Sequence, residues 1–209
     1  MEYTLREIFI QIIARLDAGN HANRLWYDID KAYSAAGRHY HNMQHLEQLY
    51  SSLSAIQDQF QDPEVMWLAL CYHDIVYETG RRDNEDQSAA FAQEILAALQ
   101  FPEHRVQQCT HMILATKSHT AAVDKDTNYF TDADLSILGQ DWERYIQYAK
   151  AIRKEYCIYP DEEYYPGRKK VIRHFLEMPR LFKTGHFYRL YEQQARKNLQ
   201  QELHFYEEM

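Results

Sequence analysis

Glycine and proline are scarce in the chain, at 6 and 5 residues, and cysteine is scarcer at 3. With Leu, Ala, Glu, Gln and Arg plentiful, this is the profile of a mostly helical protein. Cys71, Cys109 and Cys157 are odd in number, widely spaced and lack any Cys-x-x-Cys pair, which excludes a disulfide or Cys-based zinc framework. They read as buried thiols of a reducing compartment. Positive charge is also short: 23 Lys and Arg against 31 Asp and Glu leave a net charge of −8. That excludes broad binding to a nucleic-acid polymer, which needs many cationic contacts to phosphate. A small anionic substrate held by a few cations or a metal is still allowed. No apolar run approaches the roughly 18–20 residues of a membrane span. The opening Met1-Glu2-Tyr3-Thr4-Leu5-Arg6-Glu7 lacks the basic-then-apolar form of a signal peptide. The expectation is a soluble cytoplasmic protein without a membrane partner.

What is present is ordinary globular material, 45% hydrophobic and 26% charged. No repeat, low-complexity tract or linker divides it, so the chain reads as one all-α helical bundle over residues 1–209. Leu5, Ile8, Phe9, Ile12, Ile13 and Leu16 predict a helix over 3–17, ended by Gly19-Asn20. Further helices are expected at about 21–35, 42–60, 85–99 and from Phe101-Pro102-Glu103 to about Thr116, where His111 falls on the exposed side. Residues 117–129 are the longest polar stretch and a candidate lid. The last third is helical and aromatic at about 141–157, 167–177 and 186–207, broken by Pro160, Pro166-Gly167 and Pro179. Its tyrosines read as interhelical packing, with a homodimer contact as a further use.

The central stretch is the apolar Val65-Met66-Trp67-Leu68-Ala69-Leu70-Cys71-Tyr72-His73-Asp74-Ile75-Val76-Tyr77, preceded by the helix-start pattern Asp62-Pro63-Glu64. A helix apolar on every face is buried, yet His73 and Asp74 sit inside this one. A buried carboxylate needs a proton or a cation. Taken alone, the dipeptide fits a satisfied core His–Asp pair and a metal site equally well.

Upstream, in Gly37-Arg38-His39-Tyr40-His41-Asn42-Met43-Gln44-His45-Leu46, four residues separate His41 from His45, one helix-face step. The same line continues through Leu49, Leu53 and Ile56, so both imidazoles are expected to face the core. Downstream, Asp132 and Asp134 lie two apart and cannot face one way on a helix. Asp132 suits a helix cap, which leaves Asp134 inward. His45, His73, Asp74 and Asp134 therefore converge as a ligand set of two imidazoles and two carboxylates. That set suits Mn, Mg, Fe, Co or Ni with open water positions better than a closed structural zinc site. Open positions imply catalysis, since a metal there lowers the pKa of bound water and polarises an oxygen such as that of a phosphoryl group.

These residues, in the order His45, His73-Asp74 and Asp134, make the chain resemble the HD superfamily of metal-dependent phosphohydrolases. Tyr40-His41-Asn42-x-x-His45 and Ala133-Asp134-Leu135-Ser136 are similar to the matching segments of its cyclic-nucleotide phosphodiesterase branch. The chain also resembles a group of small bacterial HD proteins described as predicted metal-dependent phosphohydrolases. The shared words are His73-Asp74-x-x-Tyr77, Asp83-Asn84-Glu85-x-x-Ser88-Ala89, Asp132-Ala133-Asp134-Leu135-Ser136-Ile137-Leu138-Gly139 and Glu192-x-x-Ala195-Arg196-x-Asn198-Leu199. The resemblance runs over about residues 20–205. It implies an HD-type bundle with a metal-site core at about 37–140 and accessory C-terminal helices at about 141–207. It further implies a divalent cation (Mn, Mg, Fe, Co, Ni or Zn) and His41 as proton donor to the leaving oxygen. The chain departs from the two-metal members, with Asn84-Glu85 standing where further histidines would be sought, and no purine-clamping glutamine is evident.

The leading expectation is hydrolysis of a phosphate ester or anhydride in a nucleotide or small metabolite. His41 acts as acid, and Asp74 or Asp134 takes the proton of the attacking water. Asn84, Glu85 and His119 are candidates to orient water or hold a second metal. Lys117, Arg153 and Arg168 are candidate phosphate contacts. The alternatives are a catalytically inactive metal- or nucleotide-binding module and a di-iron oxygenase, the latter disfavoured by the missing histidines.

Overall fold

The computed structural model describes residues 3–16 and 21–208. The expected helix stop at Gly19-Asn20 and the first two residues of the N-terminal reading lie outside them. Among the described residues the chain forms ten α-helices and two short 3-10 turns, with no strand. The bundle is all-α, as its composition implies. None of these helices is long and apolar enough to cross a membrane. The chain divides into two compact units, 1–131 and 132–209, and the division falls within one helix.

The first unit is built around α4 (Pro63–Tyr72), whose residues from Val65 to Tyr72 are all buried. Burial of each Leu or Met side chain contributes about 1.5–3 kcal/mol. Asp62 caps α4 by accepting from the Val65 amide at 3.2 Å, and Pro63 occupies its first turn. Arg105 grips the same Asp62 through two hydrogen bonds of 2.7 and 2.6 Å. Packed against α4 are α1 (Leu5–Leu16), α3 (Met43–Ser54), α5 (Asn84–Ala98) and α6 (Glu103–Ala115). α2 (Ala22–Tyr33) packs on α1. Phe9, Trp26, Tyr72 and Phe91 form an aromatic chain across these helices. α7 (Lys125–Leu135) contributes the buried Asp126, whose carboxylate accepts from the amides of Gln61 and Asp62 and fixes the approach to α4.

The second unit holds the end of α7, a 3-10 turn at Ser136–Gly139, and three helices: α8 (Trp142–Glu155), α9 (Asp161–Glu177) and α10 (Gly185–Glu207). α10 lies against the 3-10 turn so closely that a Cβ on Gly139 would run into Tyr191. Asn198 on α10 donates to the carbonyls of Leu138 and Gln140, both at 2.8 Å. Glu192 accepts from the amides of Leu181 and Phe182. Arg196 bonds Glu192 and the carbonyls of Leu176 and Met178. The polar members of the Glu192…Asn198 pattern thus tie α10 to the loops around it.

Several boundaries differ from expectation. Pro166-Gly167 does not break the last third, because α9 runs through both from Asp161. Pro166 falls in the second turn, where its missing N–H removes a single helix bond. The 42–60 helix stops at Ser54 and is followed by a 3-10 turn at Gln57–Gln59. Lys125–Tyr129 is helical, so the expected polar lid shortens to 117–124. That segment is tied down by Asn128, which bonds both backbone groups of Ala122. Asp132 does not cap its own helix. It lies near the end of α7, fully buried, and accepts from the amides of Lys183 and Thr184 at 2.9 and 2.7 Å, just before α10 begins. Cys71 and Cys109 are buried, but Cys157 is exposed.

Candidate metal centre

α4 ends earlier than its sequence suggests. The helix stops at Tyr72, His73 is its C-cap, and Asp74 lies in the turn that follows. Tertiary bonds capture the backbone groups that would have extended it. The Asp74 amide donates to the Tyr33 hydroxyl at 3.0 Å. The Asp74 and Ile75 carbonyls accept from Arg38 at 2.7 and 3.1 Å. Ser88 Oγ takes both backbone groups of Val76. The dipeptide therefore sits at a helix end, where a buried turn can aim two adjacent side chains at one point.

His45 arrives from the first turn of α3. Asn42 caps that helix, accepting from the amides of Gln44 and His45 at 3.0 and 3.4 Å. His41 precedes the cap and is not on the helix, so the expected i, i+4 face does not exist. Its ring nevertheless lies 5.8 Å from that of His45, centroid to centroid, and packs at a tilt against Tyr77 at 4.2 Å.

Three donor groups meet here. Nε2 of His45 and Nε2 of His73 are 3.2 Å apart. Asp74 Oδ2 lies 3.1 Å from His73 Nε2 and 3.9 Å from His45 Nε2. Ligands about 2.1 Å from a shared ion stand about 3.0–3.4 Å apart at right or tetrahedral angles, so the first two spacings match a common cation. Both histidines are buried, while the Asp74 side chain retains 14% exposure and keeps the cluster in reach of solvent. His73 Nδ1 donates to the Leu70 carbonyl at 2.9 Å. That bond leaves the Nε2 lone pair turned toward the cluster, the arrangement by which proteins orient a metal-bound imidazole. The Phe130 ring meets His73 edge-on at 5.6 Å. Buried beside Asp74, the Tyr33 hydroxyl is held well above the usual phenol range, first by desolvation and then by the carboxylate's charge.

Among the described residues, His45, His73 and Asp74 form the one grouping of His, Cys, Asp and Glu with metal-ligand spacing. Asp134 belongs to the second unit, half-buried in the last turn of α7, where its charge acts on Lys183. The other candidates are placed differently. Asn84 pins the loop after the dipeptide through both backbone groups of Glu78. Glu85 is half-buried in the first turn of α5. His119, half-buried, takes a left-handed conformation with φ of 51° and closes α6 with its amide on the Ala115 carbonyl. His111 is exposed.

The phosphate candidates are committed elsewhere. Lys117 is exposed and pairs with Asp86 at 2.6 Å, which raises its pKa. Arg153 bonds Asp161 and the carbonyls of Tyr156 and Tyr159. Arg168 is buried in the second unit, with its Nε and Nη2 on Glu202 at 2.9 Å. The carboxylate takes one edge of the Arg168 guanidinium, and its remaining Nη1 donates to the Tyr148 hydroxyl at 3.2 Å. Arg153 and Arg168 tie their own unit together, whereas Lys117 makes an exposed surface pair.

Two contributors, Arg38 and Tyr33, carry no signal of their own in the sequence. Arg38 is one more residue of a basic turn, and Tyr33 one of 17 tyrosines. The nearest cue is the position of Arg38 three residues before His41. No protein-family model, curated protein or solved structure matches the chain.

Proposed function

We propose that the chain is a metal-dependent phosphohydrolase cleaving a phosphate ester or anhydride of a nucleotide or small metabolite, as its HD resemblance implies. The observation that supports this reading most is the His73 ring. Its Nδ1 is tied to the Leu70 carbonyl, and its Nε2 is 3.2 Å from His45 Nε2 and 3.1 Å from Asp74 Oδ2. On this reading His45, His73 and Asp74 hold one divalent cation. The resemblance adds Asp134 as a fourth ligand, which an Asp134→Asn variant tests by metal affinity. A cation so bound supplies Lewis-acid polarisation of a phosphoryl oxygen and a lowered pKa for water.

The remaining roles fall to side chains. Asp74, the most exposed of the three, accepts the proton of the attacking water. His41, braced against Tyr77, donates a proton to the leaving oxygen. Asn84 is bound to the Glu78 backbone, which favours a single cation over a pair.

The test loads the protein in turn with Mn, Mg, Fe, Co, Ni and Zn and screens phosphomonoesters, diesters and nucleotides. Turnover with at least one metal, abolished by Asp74→Ala, is the expected result. No turnover with any of them, or activity that survives Asp74→Ala, refutes the proposal. Tight nucleotide binding without turnover, indifferent to His41→Ala, would identify a binding module instead.

A further inference from the structure

We infer that Arg38 is the positioning residue of the centre, setting the two ligand-bearing turns against each other through their backbone carbonyls. The inference rests on the metal reading above. Its guanidinium serves three carbonyls on two separate segments: Nη1 donates to His41 at 3.0 Å and to Asp74 at 2.7 Å, and Nη2 donates to Ile75 at 3.1 Å. One of those segments leads through Asn42 into the first turn of α3 and carries His45. The other carries Asp74.

The fork is fixed in its turn by aromatic faces. The Arg38 Cζ lies 4.9 Å from the Tyr33 ring centroid and 5.4 Å from that of Tyr77. Tyr33 also accepts from the Asp74 amide, so the Asp74 residue is held from both ends, its N–H by Tyr33 and its C=O by Arg38. With the backbone gripped there, the carboxylate has little freedom except rotation about its own side-chain bonds. Tyr77 completes the link, since the ring flanking Arg38 also packs against His41 at 4.2 Å. One planar cation thus coordinates the placement of His41, His45 and Asp74. Lysine would keep the charge but not the fork that reaches three carbonyls in one plane.

The test measures Mn²⁺ affinity by calorimetry and the Co²⁺ absorption spectrum, both independent of turnover, on folded wild type, Arg38→Lys, Arg38→Ala and Arg105→Lys. Arg105→Lys is the control for a structural arginine of the same unit, which binds Asp62 and Glu64. Arg38→Lys is expected to bind Mn²⁺ about 10–100-fold more weakly, as loss of an outer partner does in metal sites, with an altered Co²⁺ spectrum. Millimolar methylguanidinium is expected to restore affinity to Arg38→Ala, while Arg105→Lys binds as wild type. Wild-type affinity in Arg38→Lys, or an equal loss in Arg105→Lys, overturns the inference. Failure of the wild type itself to bind any divalent cation would instead remove the metal reading, and the inference with it.

Discussion

His45 and His73 are 28 positions apart in the chain, yet their Nε2 atoms stand 3.2 Å from each other. Two helix ends bring this about, the capped start of α3 and the truncated end of α4. A ligand that binds only the folded protein at 100 times its Kd raises stability by about 2.7 kcal/mol. Mn²⁺ or Co²⁺ is therefore expected to raise the Tm of the wild type and leave that of His73→Ala unmoved. A thermal-denaturation series with and without metal checks this. An equal shift in His73→Ala would place the ion elsewhere.

His41 separates chemistry from binding. Its ring packs against Tyr77 and is not among the three residues with metal-ligand spacing. His41→Ala is expected to lower kcat by about 10²–10⁴-fold, the usual worth of a general acid, with Mn²⁺ affinity unchanged. Kinetics on the best substrate, paired with calorimetry, separate the two effects. A matched loss of metal affinity would make His41 a ligand instead of an acid.

The all-helical architecture and the core of α4 are legible from apolar periodicity and from the Asp62-Pro63-Glu64 start. The gathering of His45 with His73 and Asp74 is legible for a physical reason. Polar side chains in an otherwise apolar stretch must find one another or an ion. The end of α4 is not legible, because its apolar run continues past Tyr72. What stops it is the capture of single backbone groups by Tyr33, Arg38 and Ser88, none of which is a helix-breaking signal. The same blindness affects Asp132. A short-range capping rule assigns it to its own helix, and its partners lie 51 and 52 positions away. Arg153 and Arg168 illustrate the converse, since a cation's type does not reveal that a carboxylate already holds it.

Gly139 tests the close approach of α10 to the 3-10 turn. A Cβ there would come within 2.8 Å of the Tyr191 Cα and carbonyl oxygen, backbone atoms that cannot swing aside. Gly139→Ala is expected to destabilise the protein by about 1–3 kcal/mol through overpacking. Urea denaturation reads the change, and a neutral result would mean that α10 shifts freely along the turn.

Glu202 provides the pH-dependent test. Burial alone would raise its pKa. The Arg168 guanidinium on both its oxygens, with Tyr145 donating as well, outweighs burial and holds the group below its ordinary value of 4.5. A carboxylate with a depressed folded pKa contributes stability that is present above the unfolded value and lost as pH falls through the folded one. Between pH 7 and about 5 this contribution is expected to be constant, and below about 4.5 it should decline. Glu202→Gln removes it and leaves Arg168 buried and uncompensated, so a loss of about 3–5 kcal/mol is expected at pH 7. The deficit should narrow steadily toward pH 3, because the wild type forfeits there what the variant never had. Urea denaturation of both proteins at pH 7, 4.5 and 3 measures the difference. A deficit independent of pH would mean that the Glu202 carboxylate contributes through its shape and hydrogen bonds and not through its charge.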